Sequence, residues 1–202
     1  MKLIVITTPT YFVEEDKIIT ALFDEGLDTL HLRKPDTAPV YAERLLTLIP
    51  EKYHKHIVVH DHFYLKNEYK LKGIHLSQRN PLIPDNYTGR VSASCHTLDE
   101  VSADKKICDY VFLSPIFDSI SKKGYSSAFT PETIREAASR GIIDKKVIAL
   151  GGVDEDNILR VKDFGFGGAA VLGGLWNKFN PASDYNYQQL ITCFKRLKEL
   201  AD

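Results

Sequence analysis

Val147-Ile148-Ala149-Leu150-Gly151-Gly152, then Asn157–Phe164, then Ala169-Ala170-Val171-Leu172-Gly173-Gly174: an apolar run with a glycine pair, a helical segment, and the same pattern again. The apolar runs read as strands and the segment between them as a helix capped by Asp156. A strand, a crossover helix and a second strand make one parallel unit. The same reading extends back along the chain. Further strands are expected at Leu3–Thr7, Thr29–Arg33, Ile57–His60, Gly73–Leu76, Arg90–Ser94 and Tyr110–Ser114. Helical periodicity is clearest at Glu15–Phe23, Pro39–Leu48, Pro131–Ser139 and Tyr187–Leu200, and weaker at Asp61–Tyr69 and Thr97–Lys105. In the last long helix Leu190, Ile191, Phe194, Leu197, Lys198 and Ala201 form the expected apolar face, and Thr97 with Glu100 has capping-box spacing.

Eight strands in 202 residues, about 25 residues per unit, predict one α/β domain over residues 1–202, a parallel eight-stranded (βα)8 TIM barrel. An open dinucleotide-binding sheet would carry G-x-G-x-x-G after its first strand, where this chain has Thr7-Thr8-Pro9-Thr10. Lysine and arginine total 26 against 27 acidic residues, so the basic excess that drives nucleic-acid binding is absent. No apolar run reaches the 18 residues of a membrane span. Cys95, Cys108 and Cys193 are odd in number and widely spaced, which points to a reducing cytoplasm. Homo-oligomerisation is left open.

Barrel chemistry sits beyond the carboxyl ends of the strands, while the strand interiors are expected to stay apolar. Those end positions hold His31, Arg33, His60, Asp61, His75, Gln78, Ser94, His96 and Lys122. Gly151-Gly152 and Gly173-Gly174 fall after strands seven and eight, where barrels commonly bind phosphate through backbone N–H groups. Two readings of these pairs stand together, tight turns and a phosphorylated ligand. The long loop after strand six, with Ser119, Ser121 and Lys122, suits an anion-binding lid. Histidines 31, 60, 62, 75 and 96 lie near strand ends and with Asp61 could hold zinc; Asp61 could instead bind Mg2+ with substrate phosphates. His54 and His56 precede their strand and are expected at its solvated start.

Taken in order, Leu30–Arg33, Val59–Asp61, Gly73–Gln78, Val91–Thr97, Ser114–Lys123, Ala149–Val153 and Gly168–Gly174 resemble the thiamin phosphate synthase superfamily, which includes the TenI thiazole tautomerases. The resemblance implies a barrel that joins a hydroxymethylpyrimidine diphosphate to a thiazole phosphate, releasing pyrophosphate. It implies Arg33 and Lys122 on the diphosphate, with Ser94 donating a hydrogen bond nearby. Mg2+ falls to Asp61 and Asn80, and the thiazole phosphate to Ser119, Ser121 and both glycine pairs. His31, His60, His75 and Gln78 fall on the substrate side, and His96 matches the family's acid/base position. The chain departs from the family pattern at four points. R-E-K reads Arg33-Lys34-Pro35, leaving Lys34 as the substitute diphosphate ligand; N-D reads His60-Asp61; the second metal aspartate reads Asn80; the pyrimidine-facing glutamine reads His31. The alternatives are a Mg2+-independent tautomerase acting through His96, and a silent barrel that binds a thiamin precursor.

Overall fold

The computed structural model describes residues 1–118, 129–182 and 187–202. Eight parallel strands close on themselves in chain order: β1 (Lys2–Ile6), β2 (Thr29–Leu32), β3 (Ile57–Val59), β4 (Gly73–Leu76), β5 (Arg90–Cys95), β6 (Tyr110–Leu113), β7 (Val147–Ala149) and β8 (Gly168–Val171). β8 pairs back onto β1 with Leu3 opposite Ala169, so the sheet has no edge. The helices are α1 (Glu15–Asp24), α2 (Pro39–Leu48), α3 (Leu65–Glu68), α4 (Leu98–Asp104), α5 (Pro131–Ser139), α6 (Ile158–Asp163), α7 (Gly173–Trp176) and α8 (Gln188–Ala201). Strands and helices thus occur where the hydrophobic period places them, with ends shifted by a residue or two. The weak segment at Asp61–Tyr69 contracts to the single turn of α3. A 3-10 helix at Glu51–His56 is an addition that periodicity does not show.

Alternation along each strand builds two apolar layers. Outward residues such as Leu3, Val5, Leu30, Val59 and Ile74 pack under the helices, joined by Ile18 and Leu22 of α1 and Phe194 and Leu197 of α8. On α8 the buried set includes Cys193 in place of the expected Lys198, whose ammonium instead donates to the Glu25 carbonyl (3.1 Å). Inside the barrel, Ile4, Ile6, Tyr110, Phe112, Ile148 and Ala170 form a second cluster. The interior is not the apolar filling expected of it, because His31, His75 and Ser92 are buried there as well.

Local signals explain the element ends. At α4, Thr97 accepts from the Glu100 N–H while the Glu100 carboxylate accepts from the Thr97 N–H, completing the capping box. At α6 the cap moves from Asp156 to Asp154, whose Oδ1 accepts from the N–H groups of both Asp156 and Asn157. His54 corrects its expected place at a solvated strand start. It is buried, with Nε2 on the carbonyls of Leu46 and Ile49, closing the C-terminal end of α2. Among the described residues no helix is long and apolar enough to cross a membrane.

Phe112 fills the middle of the barrel, fully buried, with its ring centroid 4.7 Å from that of His31 and 4.8 Å from that of His75. Phe112→Ala is expected to cost about 3–5 kcal/mol. Thr97→Ala, which removes one cap, should cost about 1 kcal/mol. Urea unfolding of the two variants checks the ranking; equal losses would mean the interior collapses around the truncated side chain.

Candidate active site

The inward positions of adjacent parallel strands lie side by side. In register, His75 stands beside Ser92, Ser92 beside Tyr110, and Ser94 beside Phe112. Two strings of hydrogen bonds run through the barrel core, one reaching across it from β2 to β6 and one between the adjacent β4 and β5. In the first, His31 Nε2 is 2.6 Å from the Tyr110 hydroxyl, and His31 Nδ1 is 2.9 Å from His60 Nε2. In the second, His75 Nδ1 is 2.8 Å from Ser92 Oγ, and His75 Nε2 is 2.8 Å from Ser94 Oγ. The strings touch where the His60 and His75 rings stack, 4.1 Å apart and 25° from parallel.

Burial forces these imidazoles to be neutral, since a charged ring would lose its hydration. His31 and His60 are held well below the usual histidine range, first by desolvation and then by His75. His75 is pushed down to about 3, by desolvation and then by Arg33. One nitrogen from each of the three rings lies within 4.8 Å of the others, the spacing of a metal site. The stack argues against a shared ion there, because it aligns the ring planes of His60 and His75 and so directs their in-plane lone pairs past a common point. Zinc on this cluster is therefore disfavoured by geometry. His62 faces elsewhere, with Nε2 on the Thr37 carbonyl (3.0 Å).

Beyond the strand ends lies a cationic surface. Arg33 is half-buried, and no salt bridge of its guanidinium occurs among the described residues. Burial, and next the nearby Arg79, lower its pKa, while Asp61 and Asp36 oppose them. Arg79 is a residue that sequence reasoning passed over between Gln78 and Asn80; its Nη2 is 3.8 Å from Asp61 Oδ1 and its Nη1 3.6 Å from Asp36. Gln78 is exposed on the same loop. His96 is exposed after β5, with Nδ1 3.1 Å from the Ser114 carbonyl. If Nδ1–H donates to that carbonyl, the lone pair of Nε2 is left available.

Three expected ligands are placed differently. Lys34 is outward-facing and buried; its ammonium donates to Glu15 Oε1 (2.5 Å) and the Thr10 carbonyl (2.8 Å), so it does not replace the missing diphosphate lysine. Glu15 in turn is raised to about 7 by its burial, against the pull of Lys34. His31, expected against a pyrimidine, is fully buried with both ring nitrogens occupied, so it supports His60 instead. Asn80 turns its amide nitrogen toward two acceptors, the His60 carbonyl and Asp61 Oδ1, both at 2.9 Å. That choice points its N–H group, not its carbonyl oxygen, at Asp61. The other carboxylate oxygen, Asp61 Oδ2, is buried with no hydrogen-bond partner among the described residues.

The glycine pairs serve packing as well as any ligand. Gly151 and Gly152 have φ of 94° and 65°, and a Cβ on Gly152 would stand 2.3 Å from the Asp118 carbonyl oxygen. Gly173 and Gly174 open α7, where N–H groups have no partner within the helix. Ser119, Ser121 and Lys122 lie outside the described residues.

A closed parallel barrel with a guanidinium and hydroxyls at the carboxyl ends of the strands belongs to the (βα)8 class whose sites are built from loops. Residues 3–175 match the family model described as thiamine monophosphate synthase, and the chain belongs to that family. A structure of thiamine phosphate pyrophosphorylase from Bacteroides thetaiotaomicron is 62% identical, with a TM-score of 0.92, covering 99% of this chain and 97% of that one. Thiamine-phosphate synthase from Actinobacillus succinogenes is 30% identical over 58% of this chain, and the match spans only 56% of that relative's length. The enzyme of that name from Halalkalibacterium halodurans is 28% identical over 74% of this chain and 76% of its own. A pyrophosphorylase from Pyrococcus furiosus, 18% identical with a TM-score of 0.75, shares the fold.

The neutral imidazoles set a pH dependence. An unfolded histidine takes up a proton near pH 6.5, whereas His75 in the folded barrel does so only near 3. Between these values the unfolded state holds more protons, so stability falls as pH drops through the window. Urea midpoints measured from pH 7 to pH 4 should decline, and His75→Gln should flatten the decline.

Proposed function

We propose that this chain condenses a hydroxymethylpyrimidine diphosphate with a thiazole phosphate, giving thiamin phosphate and pyrophosphate. The observation that carries the reading is Arg33, a half-buried guanidinium at the strand ends with no salt bridge among the described residues, in a member of the thiamine monophosphate synthase family. The likeness to the Bacteroides pyrophosphorylase supports it over nearly the whole chain.

In this reaction the carbon–oxygen bond to the diphosphate breaks first, and the thiazole nitrogen captures the pyrimidine cation. Charge builds on the departing diphosphate, so fixed cations and hydrogen-bond donors lower the barrier without moving a proton. Arg33 supplies such a cation, with Arg79 adding to the local field and Ser94 offering a hydroxyl. Lys122 is assigned to the same diphosphate, and Ser119, Ser121 and the N–H groups of Gly151, Gly152, Gly173 and Gly174 to the thiazole phosphate. Mg2+, when bound, supplies positive charge to the diphosphate. Asp61, whose Oδ2 has no hydrogen-bond partner among the described residues, would give that ion one carboxylate contact. Asn80 then acts on Asp61 rather than on the metal.

Arg33→Gln should lower kcat/KM for condensation by about 10²–10³-fold, the range for one transition-state donor. Pyrophosphate release assayed with both substrates measures this. A loss below threefold would remove Arg33 from the diphosphate site.

His96 favours a second activity, thiazole-phosphate tautomerisation, because its contact with the Ser114 carbonyl leaves Nε2 as an available base. His96→Asn should lower tautomerisation by about 10²–10⁴-fold while condensation falls much less. Parallel assays of the two reactions on one preparation decide it; equal small effects leave His96 with no acid/base role.

A further inference from the structure

Arg79 sits at the tip of a four-residue turn after β4. Ser77 and Asn80 close the turn by donating N–H groups to each other's carbonyls, at 3.1 and 3.0 Å. The Asn80 amide ties it to the end of β3, through the His60 carbonyl and Asp61 Oδ1. The backbone that carries Arg79 is thereby fixed beside Asp61. Its guanidinium is held far more loosely. Nη1 stands 3.6 Å from Asp36 and Nη2 3.8 Å from Asp61, both beyond hydrogen-bond reach. The side chain is 39% exposed, and Asp36 is 89% exposed, so water screens the outer of the two contacts.

Arg33 is near enough to feel this second guanidinium, which after burial is the largest influence lowering its pKa. Both cations also act on the buried His60 ring at the end of β3. They therefore converge on one place, the mouth of the barrel beyond β2, β3 and β4. Against these two positive charges stand one largely buried carboxylate, Asp61, and the screened Asp36. Like charges kept together cost free energy until an anion comes between them. A guanidinium offers five N–H donors in a planar fork that matches phosphate oxygens two at a time. Two neighbouring guanidinium groups suit an anion with more than one phosphoryl unit.

We infer that Arg79 is a direct ligand of the diphosphate, exchanging its two long carboxylate contacts for hydrogen bonds to phosphate oxygens when the anion binds. Asp61 and Asp36 hold the guanidinium at the rim until then, at distances it leaves without breaking a hydrogen bond. Arg33, the more buried of the two, grips the anion from the end of β2, and Arg79 grips it from the turn after β4. This role rests on the diphosphate reading for the identity of the anion.

Calorimetric binding of inorganic pyrophosphate to the full chain, with Mg2+ and again with a chelator, tests the contact without turnover. Arg79→Gln should weaken binding about ten- to a hundredfold, the worth of hydrogen bonds to a charged group. Arg79→Lys keeps the charge and loses the fork, so it should recover only part of that affinity. Asp36→Asn, which frees the outer side of Arg79, should tighten binding about two- to fivefold. In an Arg79→Gln background that gain should disappear. Full affinity in Arg79→Gln, full recovery in Arg79→Lys, or an Asp36→Asn gain that persists without Arg79 overturns the direct contact. So does a ligand-free melting temperature lowered by Arg79→Gln, which would make the residue a brace of its turn. Failure of the unmodified protein to bind pyrophosphate under either condition overturns the diphosphate reading instead.

Discussion

Three imidazoles packed in the core of a closed barrel must each be satisfied without charge, and much of the architecture follows from that requirement. The barrel wall fixes which positions point inward, so His31, His75, Ser92 and Tyr110 have no route to water. Each neutral ring needs one donor and one acceptor; the neighbouring strand supplies both to His75, while His31 finds Tyr110 across the barrel and His60 beside it. The result is an interior in which hydrogen-bond direction, not only volume, is specified. Around it the apolar residues do ordinary work. Ile4, Ile6 and Ile148 exclude water from the strings, and that exclusion keeps the rings neutral.

The strand ends carry the opposite arrangement. Arg33 keeps its charge with no salt bridge among the described residues, while Lys34, its neighbour in sequence, is fully committed to Glu15. Strand alternation separates them: two adjacent cations leave β2 on opposite sides of the wall, one into the site and one into the packing under α1. A similar division of labour separates Asp61 from Asn80. One carboxylate oxygen has no hydrogen-bond partner among the described residues, and the amide braces the other.

Most of the fold was legible because periodicity is a local property. The runs at Val147–Leu150 and Ala169–Leu172, the capping box at Thr97 and Glu100, and the face of α8 each follow from neighbours a few residues apart. Arg33, Asp61, Ser94 and His96 were legible as strand-end groups. The misplaced residues all depend on which side of the wall a side chain takes or on a distant partner. Lys34 meets Glu15 nineteen positions away, His31 meets Tyr110 seventy-nine positions away, and His54 folds back onto the end of α2. Arg79 carried a faint signal, a cation between two expected ligand positions. Ser92 and Tyr110 carried none, because a serine or tyrosine within a strand reads as filling.

The polar strings also bear on how such a barrel can change over time. Aliphatic or aromatic side chains of similar volume at positions 31, 75, 92 and 110 would remove the need for directional pairing, and well-packed apolar replacements of buried polar groups are often neutral or stabilising. A population of variants screened only for resistance to heat would therefore drift toward a greasy interior. Its members would keep the barrel and lose the polarity that reaches the strand ends. Hydrogen-bonding residues at these four positions are thus more than foldedness alone requires.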